Sequence, residues 1–261
     1  MSPFSDSDSD PTLGVDDELL AVIAAGIPVR APSPSLRERV LSAGTAMRLV
    51  FLDRHQGIWL PHPDSAVAIK ELFCDSRDRA TTRLLRVARN EALPAAALQG
   101  TRTLLVISGR LWGDAGVAET GDCVDEPGVG SSWQAADDAL VLDFSTVETN
   151  AAPARVQTAN GATWVPYGDG IRVRPLSPPS NERRQLHLLS AEPNATLIEH
   201  EHAGVEELYV LQGSCTVEGR NMRLGDYHRA ASGSSHDVTR TGADGCVLLC
   251  SVRALAAEPG A

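Results

Sequence analysis

The stretch IEHEHAGVEELYVLQG, residues 198–213, places two histidines one residue apart and follows them with paired glutamates and a glycine. Side chains at positions i and i+2 of a β-strand point to the same face, so His200 and His202 are expected to share a side. Glu206 keeps that parity if the strand continues without a bulge, and Glu207 is then expected on the opposite, solvated face. The pattern predicts either three ligands directed at one metal ion or ordinary polar residues on an exposed strand.

A later segment, GDYHRAASGSSH, supplies a fourth candidate ligand. It places His236 eleven residues after Gly225, on a strand that can return past the first two histidines. Three neutral imidazoles and a carboxylate suit a divalent first-row metal, because the nitrogens are strong donors and the carboxylate lowers the bound charge. We therefore predict one divalent metal ion held by His200, His202, Glu206 and His236. Zinc, iron, manganese and nickel all accept these ligands, and the two functions considered below favour zinc or iron.

The composition indicates a folded, turn-rich β protein. The chain has 261 residues, which suits one large or two small domains, and 43% of them are hydrophobic. Its 22 glycines and 16 prolines disfavour a helical bundle. Short apolar runs such as TLLVIS, ALVLDF and GCVLLCSV are separated by Gly, Pro, Asp and Asn, as is typical of a β-sandwich or barrel. We predict an all-β fold from residue 46 onward.

An internal repeat divides this β region. TLLVISG at 103–109 matches ELYVLQG at 207–213, 104 residues later. Two further landmarks recur with nearly the same spacing, the Gly-Asp pairs that begin at Gly121 and Gly225 and the Trp-x-Pro triplets that begin at Trp59 and Trp164. The repeat predicts two homologous β domains, in which the tryptophans are matching core anchors.

The repeat also predicts the domain organisation. Residues 46–146 and 161–254 form the two β domains, and residues 147–160 link them. Residues 1–13 are acidic and Ser-rich, which predicts a disordered tail. Residues 14–45 are predicted to be helical, because apolar residues recur there at helical spacing and a capping box follows.

The first repeat lacks the candidate ligands. Ala96, Leu98 and Arg102 occupy the positions that correspond to His200, His202 and Glu206, and Ser132 or Trp133 corresponds to His236. We therefore predict that the first domain is a degenerate, metal-free copy.

Three residues near the candidate ligands receive weaker assignments. His228 could orient a ligand, although a surface position is the favoured interpretation. Cys246 and Cys250 share strand parity and can face the interior of a barrel, where core packing is the favoured role.

Charge and targeting signals narrow the classes of partner and compartment. A formal net charge of −11 disfavours nucleic acid, whose phosphates require a basic surface. The acidic start does not fit a secretory signal, and no apolar run approaches the roughly 18 residues that cross a bilayer, so no membrane association is predicted. Five scattered cysteines without a C-x-x-C motif are typical of a reducing compartment. We predict a cytoplasmic protein.

The ligand spacing is similar to the signature of the cupin family. The first cupin motif reads Gly, five residues, His-x-His, three or four residues, Glu, six residues, Gly, and here Asn194 replaces the first glycine. The second reads Gly, five residues, Pro-x-Gly, two residues, His, and here Ala231 replaces the proline. Asn tolerates a left-handed backbone, and neither change removes a ligand. The resemblance implies two tandem cupin domains of the jelly-roll, or double-stranded β-helix, type.

The chain also resembles ChrR-type anti-sigma factors and ChrR-like cupin proteins. The resemblance lies in the APSPSLRERVL entry, the W-x-P repeat and the pattern H-x-H-x-G-x-E-E-L-Y-V-L-x-G. Anti-sigma members carry an amino-terminal zinc domain that grips a sigma factor, and their cupin half responds to singlet oxygen or related oxidants. Residues 1–45 contain no His or Cys, so that zinc domain is expected to be absent or reduced to its last helices.

Two functions remain open from the sequence. The first is a regulatory or sensory metallocupin of the oxidative stress response, for which a sigma factor is the candidate partner. The second is a mononuclear non-haem iron dioxygenase that cleaves a β-diketone or related small molecule, in which Glu206 can also detach and act as a base. Because cupins often pair through exposed strands, a homodimer is expected.

Overall fold

The structure is a computed structural model that describes residues 49–63, 65–75, 79–98, 100–126, 132–147, 154–159, 163–176 and 184–254. The predicted acidic tail, 1–13, and the predicted helical segment, 14–45, lie outside the described residues. No helix in the described part of the chain is long and apolar enough to span a membrane.

The regular secondary structure of the described residues is almost entirely β-strand, as predicted. The first repeat contributes β1 Leu49–Leu52, β2 Leu60–Pro61, β3 Val67–Asp75, β4 Ala80–Val87, β5 Arg102–Ser108, β6 Arg110–Gly113, β7 Gly116–Glu119, β8 Cys123–Glu126, β9 Trp133–Ala135 and β10 Ala139–Thr146. The remainder contributes β11 Arg155–Gln157, β12 Val165–Gly168, β13 Ile171–Pro175, β14 Arg184–Ala191, β15 Thr196–Leu197, β16 His200–Glu201, β17 Val205–Val217, β18 Arg220–Arg223, β19 Tyr227–Ala230, β20 Ser235–His236 and β21 Thr239–Arg253.

These strands form two barrels, and each barrel consists of a large sheet and a small sheet. The large sheet of the first repeat has the order β11-β8-β5-β10-β4-β3-β2, and β7-β6-β9 completes that barrel. The large sheet of the second repeat has the order β1-β19-β17-β21-β14-β13-β12, and β16-β20 forms the small sheet at its mouth.

The central strands of both large sheets are buried on both faces. Leu104 points into the apolar core of the first barrel, whereas its neighbour Leu105 joins a second cluster that contains residues of both repeats. In β14, Leu188 joins that shared cluster and Leu189 points into the second barrel. Double-sided burial explains why these strands read as continuous apolar runs rather than as alternating patterns.

The shared cluster holds the two repeats together face to face. Each repeat contributes six buried side chains to it, Leu72, Leu84, Leu105, Cys123, Leu142 and Phe144 from the first and Leu176, Leu186, Leu188, Tyr209, Tyr227 and Leu249 from the second. The predicted anchors Trp59 and Trp164 are half-buried against this cluster. The guanidinium groups of Arg86 and Arg174 cover their outer faces, 4.0 and 4.6 Å from the ring centroids.

The two repeats exchange their first strands. β1 pairs with β19 of the second sheet, and β11 pairs with β8 of the first sheet. The sheets therefore do not follow the predicted bounds at these two points. Leu49–Leu52, at the start of the predicted first domain, belongs to the second sheet, and the predicted linker contains a strand, Arg155–Gln157, of the first sheet.

The aspartate of each Gly-Asp landmark anchors an exchanged strand. The carboxylate of Asp226 accepts hydrogen bonds from the backbone N–H of Arg54, just after β1, and of Arg223, both at 2.8 Å. Asp122 accepts equivalent bonds from the backbone N–H of Ala159, after β11, and of Glu119. The landmark thus recurs because each repeat must hold the first strand of the other.

Removing the carboxylate of Asp226 should weaken the exchanged strand. Asp226→Ala leaves two partly buried backbone donors without their charged acceptor, and we expect the free energy of unfolding to fall by about 1–3 kcal/mol. Urea denaturation measures this change. The control, Asp244→Ala, alters an exposed aspartate on β21 and should shift the midpoint only slightly; equal losses in the two variants would contradict the anchoring role.

Candidate metal centre

The long strand β17 carries the central carboxylate of the site. The strand runs from Val205 to Val217 and bends at Gly213. The bend requires glycine, because φ is +69° and a Cβ atom would collide with the backbone oxygen of Gly245. Beyond the bend, β17 pairs with β18.

Three of the predicted ligands meet at the mouth of the second barrel. The ligand atoms of His200, His202 and Glu206 lie within 4.8 Å of one another. The imidazole Nε2 of His200 is 3.8 Å from Glu206 Oε2, and Nδ1 of His202 is 3.9 Å from the same oxygen. His202 and Glu206 are buried, whereas the His200 side chain is 43% exposed, so the group opens to solvent on one side.

The fourth predicted ligand, His236, adjoins this group. It pairs with His200 across β16 and β20, and its Nε2 lies 3.2 Å from Glu206 Oε1. Its ring centroid is 4.5 Å from that of His202 and 5.5 Å from that of His200. The three imidazoles thus surround a single carboxylate.

Backbone hydrogen bonds fix the loop that carries His202. The N–H of His202 donates to Ser234 O at 2.9 Å, and the N–H of Gly233 donates to His202 O at 2.7 Å. These bonds tie His202 to the turn before His236, although Ala231 replaces the proline of the cupin motif. Asn194, which replaces the first motif glycine, adopts a left-handed backbone with φ +60°, as its residue type predicted.

The electrostatics of the group centre on Glu206. Burial alone would raise the pKa of this carboxyl, but the imidazoles of His200 and His236 outweigh burial and hold the pKa well below its usual range. The carboxylate in turn raises the pKa of His200. Burial lowers the pKa of His202, which favours the neutral ring that a metal requires.

The residues fit a divalent metal ion. Nε2 of His202 is buried without a hydrogen-bond partner, and such an atom loses solvation unless a ligand compensates it. Neutral imidazole nitrogens beside one anionic oxygen form the donor set that first-row metals accept. Within the described residues, His200, His202 and Glu206 are the group of acidic, Cys and His side chains that comes close enough to share an ion.

Three further side chains, His187, His228 and Cys250, face the same interior, and the sequence indicated an interior position only for Cys250. His228, for which a surface position was favoured, is fully buried and stacks on Phe51 with centroids 4.0 Å apart. Its Nδ1 lies 2.8 Å from Val50 O, so this nitrogen carries the proton.

Cys250 donates its thiol to Glu206 Oε2 at 3.6 Å, and His187 pairs with Cys250 across the sheet. Both His228 and Cys250 pair with Leu208 of β17 and so share its inward face, but this register is known only from the structure.

The prediction that Glu207 is solvated was wrong. Its side chain is buried between the repeats, where Arg184 donates to Oε2 at 2.9 Å and Tyr227 donates to Oε1 at 2.6 Å. The Thr82 hydroxyl of the first repeat donates to the same carboxylate. The opposite face of β17 is a domain interface rather than a surface, which strand parity alone cannot distinguish.

The corresponding positions of the first barrel hold an ion-pair cluster. Arg102, which aligns with Glu206, donates to Asp143 at 3.0 Å and lies 3.6 Å from Glu126. Arg83 also donates to Asp143, and Trp133 is packed in the apolar core. The guanidinium groups hold the pKa of Asp143 below its usual range against the effect of burial. A side-chain cation therefore occupies the ligand position in the first barrel.

The chain matches the family model of the ChrR cupin-like domain over residues 47–141 and 152–256. The two segments correspond to the two sequence repeats. No curated protein matches the chain significantly.

Solved structures of the same fold cover most of the chain at low identity. A protein Ylba from E. coli shares 14% identity, with a TM-score of 0.66 over 82% of this chain and 93% of that one. A protein of Nostoc punctiforme named as a putative dioxygenase shares 14% identity, with a TM-score of 0.63 over 82% of this chain and 85% of that one. Oxalate decarboxylase of Bacillus subtilis shares 12% identity, with a TM-score of 0.62 over 80% of this chain and 78% of that one. These likenesses confirm the predicted double-barrel fold.

The buried ring of His228 predicts a pH-dependent loss of stability in the metal-free protein. Burial lowers its pKa to about 3, whereas in the unfolded chain it returns to 6.5. Between these values the unfolded chain binds one more proton, so the free energy of unfolding falls as the pH drops below 6.5. Between pH 7.5 and pH 5.5, this group should lower the free energy of unfolding by about 1–1.5 kcal/mol. Urea denaturation of chelator-treated protein at the two pH values measures this change in the free energy of unfolding. The variant His228→Gln should lose less stability than the wild type over the same pH range. Identical pH profiles of the two proteins would contradict the prediction.

Proposed function

We propose that this chain, which belongs to the ChrR cupin-like domain family, binds one divalent metal ion in its second barrel and uses it in a regulatory or sensory role. The metal ligands in this proposal are His200, His202, Glu206 and His236. The observation that carries the proposal is their meeting around a single buried carboxylate in one repeat only, while the other repeat holds an internal ion pair at the matching position.

A regulatory role is supported by two strands, β17 and β19, that contact both the candidate metal site and the interface between the barrels. Glu206 and Glu207 are successive residues of β17, and one faces the site while the other binds Arg184, Tyr227 and Thr82 between the barrels. Tyr227 is followed in β19 by His228, whose ring centroid lies 4.9 Å from that of His236. A change in the position of either strand on metal release therefore acts on the interface as well.

Zinc suits this role, because it holds a closed set of four ligands without redox chemistry of its own. The family resemblance supports an oxidant as the signal and a sigma factor as the candidate partner. His200, the most exposed of the ligand rings, lies beside Ile198, which is 80% exposed, so the mouth of the barrel offers an apolar surface next to the site.

The second candidate function is a mononuclear metal-dependent dioxygenase acting on a β-diketone or related small molecule. The open side of the site at His200 favours it, because substrate needs access to the metal. Iron would supply open coordination positions for substrate and dioxygen. The chain itself would supply Glu206 as a base, and the thiol of Cys250 already donates a hydrogen bond to that carboxylate.

Replacing one ligand should abolish metal binding. The wild-type protein is expected to hold one metal ion per chain and His202→Ala none, because the remaining donors no longer enclose the ion. Metal at a 100- to 1,000-fold excess over its Kd should stabilise the wild type by about 3–4 kcal/mol and leave the variant unchanged. Elemental analysis and denaturation with and without chelator measure the two effects.

The control is His55→Ala, which removes an exposed histidine from the loop after β1 and should keep the metal. Two metal ions per wild-type chain, or full occupancy in His202→Ala, would contradict the site.

Oxygen consumption separates the two candidate functions. A dioxygenase loaded with iron should take up oxygen in the presence of at least one compound from a panel of diketones, flavonols and thiols, and His200→Ala should not. A regulator should show no uptake above that variant, but should change its conformation or partner binding when zinc is removed or an oxidant is added. An oxygen electrode and amide hydrogen exchange provide the readouts. A protein that shows neither response would contradict both functions.

A further inference from the structure

We propose that Glu218 positions His236 for metal binding by accepting a hydrogen bond from its Nδ1–H. This inference rests on the metal site proposed above and adds a residue that is not a ligand. Glu218 lies at the turn between β17 and β18, twelve positions beyond Glu206, and the ligand spacing gives no reason to connect it to the site.

The two nitrogens of His236 have different surroundings. Nε2 faces the site, 3.2 Å from Glu206 Oε1. Nδ1 points away from the site and is buried without a hydrogen-bond partner, and its nearest carboxylate is Oε1 of Glu218 at 3.8 Å. A ring that binds a metal through Nε2 must carry its proton on Nδ1, where an acceptor fixes the tautomer and the ring orientation.

Glu218 also holds the backbone on the other side of His236. Its Oε1 accepts the N–H of Asp237 at 2.6 Å, so one carboxylate oxygen lies next to both the ring and the following peptide. The side chain is 25% exposed, which allows a small movement toward Nδ1 without the cost of burying a new charge.

The backbone of Glu218 is unusual for its residue type. Glu218 and Gly219 form a two-residue hairpin loop, and both have positive φ, +49° and +69°. Such loops prefer Asn, Asp or Gly at the first position, and a glutamate there is strained. Strained residues of this kind concentrate at functional sites, where the side chain is needed in a place that a relaxed backbone would not reach.

The first repeat provides a matched position. Asp114 stands 104 residues before Glu218, in the hairpin between β6 and β7, and it is exposed. Neither Ser132 nor Trp133, the two candidate counterparts of His236, has a second ring nitrogen to orient, and the φ of Asp114 is not positive. The strained carboxylate thus occurs in the repeat that contains the histidines.

The test compares Glu218→Gly, Glu218→Gln and the control Asp114→Asn in the full-length protein, with zinc as the probe. Loss of the orienting carboxylate should weaken zinc binding by about 10- to 100-fold in Glu218→Gly, measured by competition with a chromophoric chelator. The metal-free Glu218→Gly protein should be at least as stable as the wild type in urea, because glycine accepts the positive φ. Asp114→Asn should bind zinc as the wild type does.

A spectroscopic readout separates positioning from a general structural effect. In the zinc-loaded wild type, the Nδ1–H proton of His236 should give a slowly exchanging, downfield NMR signal that is absent in Glu218→Gly. Glu218→Gln keeps a neutral acceptor and should retain part of both the signal and the affinity. Zinc affinity of Glu218→Gly and Glu218→Gln within twofold of the wild type, or an equal loss in Asp114→Asn, would overturn the inference. Failure of the wild type to bind zinc would instead overturn the proposed metal site.

Discussion

Two successive glutamates of one strand, Glu206 and Glu207, leave β17 on opposite faces and are both buried. A buried carboxylate is stable only when charged or hydrogen-bonding groups compensate the lost hydration. Glu206 finds imidazoles inside the second barrel, and Glu207 finds a guanidinium, a phenol and a hydroxyl between the barrels. The strand that supports the candidate metal site is therefore also the strand that joins the repeats, and the two surroundings cannot change independently.

Each barrel contains a buried carboxylate, and different side chains compensate its charge in the two barrels. In the first, Arg102 and Arg83 neutralise Asp143 within the chain. In the second, the corresponding strands present Glu206, His187 and Cys250, and the buried nitrogens of His202, His228 and His236 include atoms without a hydrogen-bond partner. The first repeat supplies the cations for its buried carboxylate from its own arginines, whereas the second surrounds its carboxylate with imidazoles and leaves Nε2 of His202 without a hydrogen-bond partner. This contrast within one chain is the strongest support for a single metal ion.

The exchange of first strands explains why the described residues of both repeats belong to one compact unit. β1 brings Val50 and Phe51 to His228, so the first strand of the first repeat completes the wall behind the candidate ligands. Asp226 secures that strand from the opposite side. The second barrel is thus incomplete without the first repeat, and its site depends on contacts that span most of the sequence.

The sequence by itself determined the all-β class, the repeat and the convergence of His200, His202 and Glu206, because strand parity and motif spacing are local properties of the chain. It also placed His236 beside them, since a returning strand follows from the second motif. Only the tertiary structure decided which face of each strand is solvated. Glu207 and His228 were assigned to the surface because parity gives two faces without stating what covers them, and here the other repeat and an exchanged strand cover both. The role proposed for Glu218 could likewise not be predicted from the sequence, because the hairpin turn that carries Glu218 approaches His236 only after β17 bends at Gly213.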